Sequence, residues 1–356
     1  MANLHSLSGQ FARAMGHVRL FAAKGVLCTL LTIGFNILFL AFFQLGIAGY
    51  VLANIFADGL TTVFIFLRAR QWRYLHFPSL SKENAVQMLR YSLPLVPSTL
   101  CGWIINISDR YLIALFVGST ANGIYAISSK LPNMLTAIAS IFASAWQLSA
   151  LKEQPKAEKE QFFSNVFSVY SAIVFAAASG IILTAPLSTR LLAAPEYYAA
   201  WRYVPVLTLA SAFACFGSFL SSIYMIERAS VSTLFTAMLG AAVNVAGNLL
   251  LIRLWGSMGA AFSTLFSCVL IFGVRAVHTR SMLRMKWHMG KLLLSTLLLC
   301  AQCVLVEYDF SMWPFWSACC LLAIVASHRA PLQSACKNAS ILNFPGSVEF
   351  RHCPHV

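Results

Sequence analysis

Ten apolar runs divide this sequence, most of them close to the ~20 residues that cross the hydrocarbon of a bilayer as helix. They occupy residues 20–43, 47–67, 92–117, 124–148, 163–185, 203–225, 233–252, 258–274, 292–306 and 313–327. Each is continuous, whereas a barrel strand would alternate apolar and polar side chains over about ten positions, so the spans are read as helices. The expected fold class is therefore an all-α integral membrane protein, a polytopic bundle of about ten transmembrane helices. Composition agrees: 59% of the chain is hydrophobic and only 10% charged, against roughly 25% charged residues in a soluble domain. The formal net charge of +14 does not point to nucleic acid, because Lys and Arg punctuate the apolar runs instead of gathering on one polar face.

The basic residues fix an orientation, since Lys and Arg are retained on the cytoplasmic side. One set of loops holds Arg68, Arg70, Arg73, Lys82 and Arg90, then Lys152, Lys156 and Lys159, then Arg228, then Arg275, Arg280, Arg284, Lys286 and Lys291. In the alternate set, 44–46 and 118–123 carry no charge, Glu307 and Asp309 are acidic, and the long third loop has Arg190 and Arg202. Both termini are thus expected on the cytoplasmic side. The first nineteen residues have no small-residue cleavage signature after an apolar run and do not read as a removed signal peptide. Cys300 and Cys303 form a C-x-x-C that reads as two small apolar residues on a membrane helix, and no disulfide framework, metal site or cofactor is expected.

An ionisable side chain in hydrocarbon costs at least ~2.5 to 3.5 kcal/mol at a helix centre, so each one is a candidate functional residue. Asp58 and Asp109 are the acidic residues inside spans, and Arg110 and Lys130 the clear cations, with Lys24 nearer a cytoplasmic end and read as reaching for the interface. Counted from the outer ends of their spans at ~1.5 Å per residue, Asp58, Asp109, Arg110 and Lys130 fall in one layer roughly 9 to 17 Å deep, which suggests a shared polar cavity. Asn106, in the same run as Asp109, is counted with them. Asp109 and Arg110 point about 100° apart as helix neighbours, so each needs another partner. An antiparallel next helix would place Lys130 beside Asp109 and leave the Arg110 fork free for phosphate oxygens. The alternatives stand beside this: a structural network of Asp109, Arg110 and Lys130 locking two helices, and Asp58 as a packing residue beside Asn54. Pro94, Pro97 and Pro132 sit within spans next to this layer and are expected to bend or interrupt their helices.

An internal echo appears between 20–67 and 233–274. Each first helix carries an Asn (Asn36, Asn248), each connection is short, and each second helix opens with G-x-x-G, at Gly46 and Gly49 and again at Gly256 and Gly259. The pattern fits a parallel repeat of two lobes in which four spans precede the second pair and none precede the first.

The stretch 91–151 resembles the start of the second lobe in the Wzx-type polysaccharide flippases, a family in the superfamily that also holds the multidrug and toxic compound extrusion transporters and the lipid II flippases. The resembling elements are LPLVP (93–97), SDRY (108–111), NGIY (122–125), Lys130 and AWQ (145–147), and QFARAMGHVRLFAAKGV (10–26) is similar to the family's entry into its fifth helix. The resemblance is specific around 108–147 and extends to about residue 274. It implies a two-lobed transporter fold with an incomplete first lobe lacking four helices: 1–90 as the remnant of that lobe with a basic cytoplasmic loop, 91–276 as the second lobe, 277–329 as a C-terminal helix pair and 330–356 as a cytoplasmic tail. It also implies translocation of undecaprenyl-diphosphate-linked oligosaccharide across a bacterial cytoplasmic membrane by alternating access. Lipid-linked oligosaccharide and membrane lipids are the implied partners, with a polysaccharide polymerase and glycosyltransferases nearby. Under it, Arg110 and Lys130 would attract the diphosphate, and a coupling ion would act through Asp58 or Asp109.

Competing expectations remain open. A cation or drug exporter of the same superfamily would favour buried carboxylates, yet here cations at least match them; an inactive truncated flippase is a further alternative. A membrane polymerase or acyltransferase would want an intramembrane base or a large outer loop, and the eight histidines lie outside spans or at their edges. No G-x-x-x-x-G-K-[ST] is present to hydrolyse ATP.

Overall fold

The computed structural model describes residues 1–74, 81–150, 156–285, 287–307 and 312–329. The expected tail, 330–356, lies outside the described residues, as do Lys152, Lys286 and Asp309. The described residues form helices and turns with no strand. In chain order the helices are α1 (Ala2–Ala14), α2 (Val18–Asn36), α3 (Gly46–Arg68), α4 (Lys82–Ser92), α5 (Leu95–Phe116), α6 (Ser119–Ser128) and α7 (Lys130–Ala150). They continue as α8 (Lys156–Leu192), α9 (Val204–Ile226), α10 (Ser230–Trp255), α11 (Ser257–Thr279), α12 (Met289–Glu307) and α13 (Trp313–Ser327).

Every expected span is helical, but they differ in kind. Seven helices are long and apolar enough to cross a membrane. The other three depart for visible reasons. Leu95–Phe116 is 22 residues long but carries Asn106, Asp109 and Arg110. The expected span 124–148 is two helices, interrupted at Ser129. Pro132 has no N–H to offer and its ring crowds the carbonyl four residues earlier, so helix α6 stops at that residue, Ser128, and the chain restarts as α7. Trp313–Ser327 has only 15 residues. Pro94 caps the N-terminus of α5 and Pro97 lies in its first turn, just after the break that ends α4 at Ser92.

The distribution of side chains is that of a protein solvated by lipid. Helix α10 buries Asn244 and Asn248 completely, whereas Phe235, Leu250 and Leu254 are exposed by 65%, 67% and 72%. In water this arrangement would be inverted. With hydrocarbon outside, Leu and Phe are at home on the surface, and polar groups gather where partners satisfy them.

The chain divides into two compact units, one within Met1–Ala85 and the other within Val86–Asn343. In the first, α2 and α3 form an antiparallel pair zipped by Phe35, Phe39 and Phe56, and α2 ends in a π-helical turn, Ile37–Phe42. Helix α1 lies against this pair. Lys24 is covered, and its ammonium donates to the main-chain oxygen of His5 at 2.7 Å. Gln71 donates to the Ser8 carbonyl at 2.9 Å and further ties α1 down.

In the second unit, α7, α8 and α9 meet in an aromatic core centred on Phe219, whose ring lies 4.9 Å from Trp146, 5.1 Å from Phe167 and 5.4 Å from Tyr170. Gln302 of α12 joins α8 and α13 by accepting from Ser179 Oγ at 2.7 Å and donating to the Ser179 and Ser317 carbonyls.

The echo between the α2–α3 and α10–α11 pairs is present in the backbone. Gly46 and Gly256 open the second helices at φ +56° and +58°, a left-handed conformation that only glycine adopts freely. Gly49 and Gly259 then press against the preceding helix, Gly49 on the Phe39 carbonyl and Gly259 on the backbone of Leu251 and Ile252. A side chain at 259 would collide with that backbone, and one at 49 would have to push its neighbours aside by a few tenths of an ångström.

Candidate functional site

A cavity of about 600 Å³ lies within the second unit, walled by α5, α6, α7, α9, α10 and α11. Space for it comes from α9, which presents a face of small residues, Ala210, Ser211, Ala214, Gly217, Ser218 and Ser221, at helical spacing. Asn106, Asp109, Arg110 and Pro132 line it.

Asp109 is 4% exposed. Its carboxylate accepts from Thr264 Oγ1 at 2.6 Å, Asn248 Nδ2 at 2.6 Å, Tyr125 Oη at 3.0 Å and Asn244 Nδ2 at 3.4 Å. Ser108 extends the network by donating to Asn244 Oδ1 at 2.8 Å. Neutral donors from α6, α10 and α11 thus converge on one carboxylate of α5, and among the described residues no Lys or Arg pairs with it. This corrects the expectation that Lys130 neutralises Asp109. Lys130 is exposed at the first residue of α7, beyond the break that Pro132 imposes, and is not part of the cavity wall.

Arg110 faces the cavity and donates from Nη2 to Ser129 Oγ at 3.2 Å, at the junction of α6 and α7. The charged wall also holds a residue that loop charge had assigned to the cytoplasmic loop, Arg275. Helix α11 runs to Thr279, five residues past the expected end of its span, and carries Arg275 inward. There it is 9% exposed, donating from Nε to Thr236 Oγ1 at 3.1 Å and from Nη1 to the Gly217 carbonyl at 2.8 Å. Thr264 touches Asp109, and Arg275 follows eleven residues later on the same helix, so its backbone lies about 16 Å further along α11 than that of Thr264. The cavity wall therefore has two cations and one carboxylate, and neutral donors already surround the carboxylate.

The model of a family described as polysaccharide biosynthesis protein matches residues 5–202, more than half of the 356. The chain belongs to that family. The matched part of the family model includes Asp109, Arg110, Tyr125 and Ser129, whereas Asn244, Asn248, Thr264 and Arg275 lie beyond it. None of the curated proteins matches the chain. Among solved structures, the fold is similar to that of the lipid II flippase MurJ in an inward closed conformation, with a TM-score of 0.61 and 12% identity, covering 95% of this chain and 72% of that one. Membership of a polysaccharide biosynthesis family and a flippase-like, multi-pass membrane fold are thus both in hand.

The remaining expected residues fall elsewhere. Pro94 and Pro97 shape the start of α5 and are not in the wall. Asp58 belongs to the first unit, where its carboxylate accepts from the Cys28 thiol at 3.7 Å and lies 4.0 Å from His5 Nδ1. Asn54, offered as its packing partner, instead donates to the Tyr50 carbonyl. His5 lies outside the spans, and burial, with Lys24 adding to it, holds its imidazole below the ordinary value.

Sequence reasoning passed over three donors to Asp109 for a recoverable reason. Asn244 and Asn248 are one helical turn apart in an otherwise apolar run, so they share a face, and two amides on one face of a membrane helix require a common polar partner. Thr264 gave no such signal, since a lone Thr in a span commonly bonds its own helix.

Proposed function

We propose that the cavity between α5 and α11 receives the diphosphate of a lipid-linked oligosaccharide and that the chain moves this lipid between the leaflets of a bacterial cytoplasmic membrane. The observation that carries the reading is the charge of the wall: Arg110 and Arg275 against a single carboxylate that accepts four neutral donors. A guanidinium fork matches phosphate oxygens, and the volume is within the ~300 to 1,000 Å³ of small-molecule sites. The sugar would occupy the polar cavity while the lipid tail stays in the bilayer.

Transport would follow from rocking of the lobe at 91–276, which would open the cavity to each leaflet in turn, with 277–329 as an accessory helix pair. Asp109 would serve as the coupling site, because protonation or cation binding there exchanges partners among Tyr125, Asn244, Asn248 and Thr264 and so alters the packing of α5 on α10 and α11. Both termini would lie in the cytoplasm. A transport role is favoured over an enzymatic one by the likeness of the fold to that of a lipid II flippase. Family membership favours a polysaccharide precursor over an organic cation, and the charge of the wall points the same way.

The test is complementation of a strain lacking its polysaccharide flippase, by this chain and by a version extended upstream. Restored surface polysaccharide that depends on Arg110 supports the reading. Rescue by Arg110→Ala, or export of cationic dyes by the same protein, would overturn it.

A further inference from the structure

Three helices of the first unit bring a histidine, a cysteine and an aspartate to one point. His5 of α1, Cys28 of α2 and Asp58 of α3 each offer one donor atom, and the three atoms lie within 4.8 Å of one another. Asp58 Oδ1 is the shared vertex, 3.7 Å from Cys28 Sγ and 4.0 Å from His5 Nδ1. Apart from the thiol hydrogen bond to Asp58, these edges are longer than hydrogen bonds, and an ion between the three atoms would sit about 2.5 Å or less from each donor, near the metal–ligand distances of zinc sites.

Two further features of the site favour a cation. His5 Nδ1 is buried with no hydrogen-bond partner, a state that buried polar atoms rarely tolerate. The adjacent ammonium, Lys24, does not fill the gap: it is spent on the His5 main-chain oxygen at 2.7 Å and its stem lies over Gly9, so imidazole, thiol and carboxylate are left facing one another.

We propose that His5, Cys28 and Asp58 bind one divalent transition-metal ion of the zinc class, with water in the fourth position, and that the ion fastens α1 to the α2–α3 pair. On binding, the Cys28 S–H bond breaks, its proton leaves to solvent and the thiolate's electron pair forms the bond to the metal. The ion's two positive charges then meet one thiolate and one carboxylate, so its charge is compensated within the ligand set. The nitrogen, sulfur and oxygen donors select against sodium, magnesium and calcium, which take oxygen ligands. The proposal is independent of the transport reading.

The experiment uses the full chain in lipid nanodiscs with cobalt(II) as the probe and zinc(II) as competitor. One equivalent of cobalt should bind with tetrahedral absorption and a sulfur-to-cobalt charge-transfer band, zinc should displace it, and magnesium should not. The charge-transfer band should vanish in Cys28→Ser, while His5→Ala and Asp58→Asn should weaken binding by at least about tenfold. Alkylation of Cys28 in the otherwise unaltered chain should slow when zinc is added, a readout that needs no variant to fold. A charge-transfer band that survives Cys28→Ser, alkylation indifferent to zinc, or cobalt binding equal in chain and triple variant would each overturn the proposal.

Discussion

Asn248 reaches across 139 residues of sequence to donate to Asp109 at 2.6 Å, and Asn244, one turn earlier on the same helix, donates to the same oxygen at 3.4 Å. A buried carboxylate so held depends on each donor, because a lost partner leaves its desolvation uncompensated.

Asn248→Ala is therefore expected to lower stability by about 1 to 3 kcal/mol. Asn248→Asp should be worse, since it sets a second carboxylate against Asp109 where little water screens it. Thermal aggregation of the detergent-purified protein would rank the two; equal losses would mean that the added charge is not felt, and no loss in Asn248→Ala would mean that the hydrogen bond does not matter.

Gly259 and Gly273 provide a matched pair on α11. A methyl at 259 collides with the backbone of α10 at Leu251, whereas a methyl at 273 meets nothing within 4 Å. Gly259→Ala should destabilise by about 1 to 3 kcal/mol, and Gly273→Ala should be neutral or stabilising by up to ~1 kcal/mol through helix propensity. The same melting assay reads both.

Arg275 uses Nε and Nη1 on Thr236 and Gly217, and its planar fork is what a lysine lacks. Arg275→Lys keeps the charge and should preserve expression yet reduce polysaccharide transport. A lost charge-assisted hydrogen bond of about 1.5 to 3 kcal/mol corresponds to roughly 10- to 150-fold in rate or affinity. Flux of labelled lipid-linked oligosaccharide in reconstituted vesicles would measure it, and unchanged flux would remove Arg275 from the substrate path.

His328, just beyond the end of α13, lies 3.0 Å from Ser295 Oγ through Nε2. Burial, and then the nearby Lys291 and His288, hold its imidazole below the ordinary 6.5. The folded protein thus binds fewer protons here than the unfolded chain, so stability is intact above about pH 6.5 and declines as pH falls through the folded value. A melting midpoint followed from about pH 7.5 to about pH 5 should fall, and His328→Gln should flatten that part of the profile.

Much of this architecture can be read from residue patterns, and what escapes has physical causes. The G-x-x-G signatures at Gly46 and Gly256 foretell two turns of the same hand because only glycine takes φ near +57° without strain. Arg275 escapes because hydropathy marks where a run stops being apolar, not where a helix stops; a buried guanidinium and a loop guanidinium look alike until α11 is seen to continue to Thr279. Lys130 misleads because a bend at Pro132 and a full break look alike in sequence; the break at Ser129 makes Lys130 the first residue of a separate helix. Asp109 lines the cavity, but three of its four partners are neutral residues some 135 to 155 positions away, and no local rule connects them.

Helices α10 and α11 share one turn, pinned by the contact of Gly259 with α10, and they carry Asn244, Asn248 and Thr264 at one level and Arg275 about 16 Å further along. Because α11 is one continuous helix from Ser257 to Thr279, a tilt of a few degrees at the level of Asp109 would be multiplied into a larger displacement of Arg275.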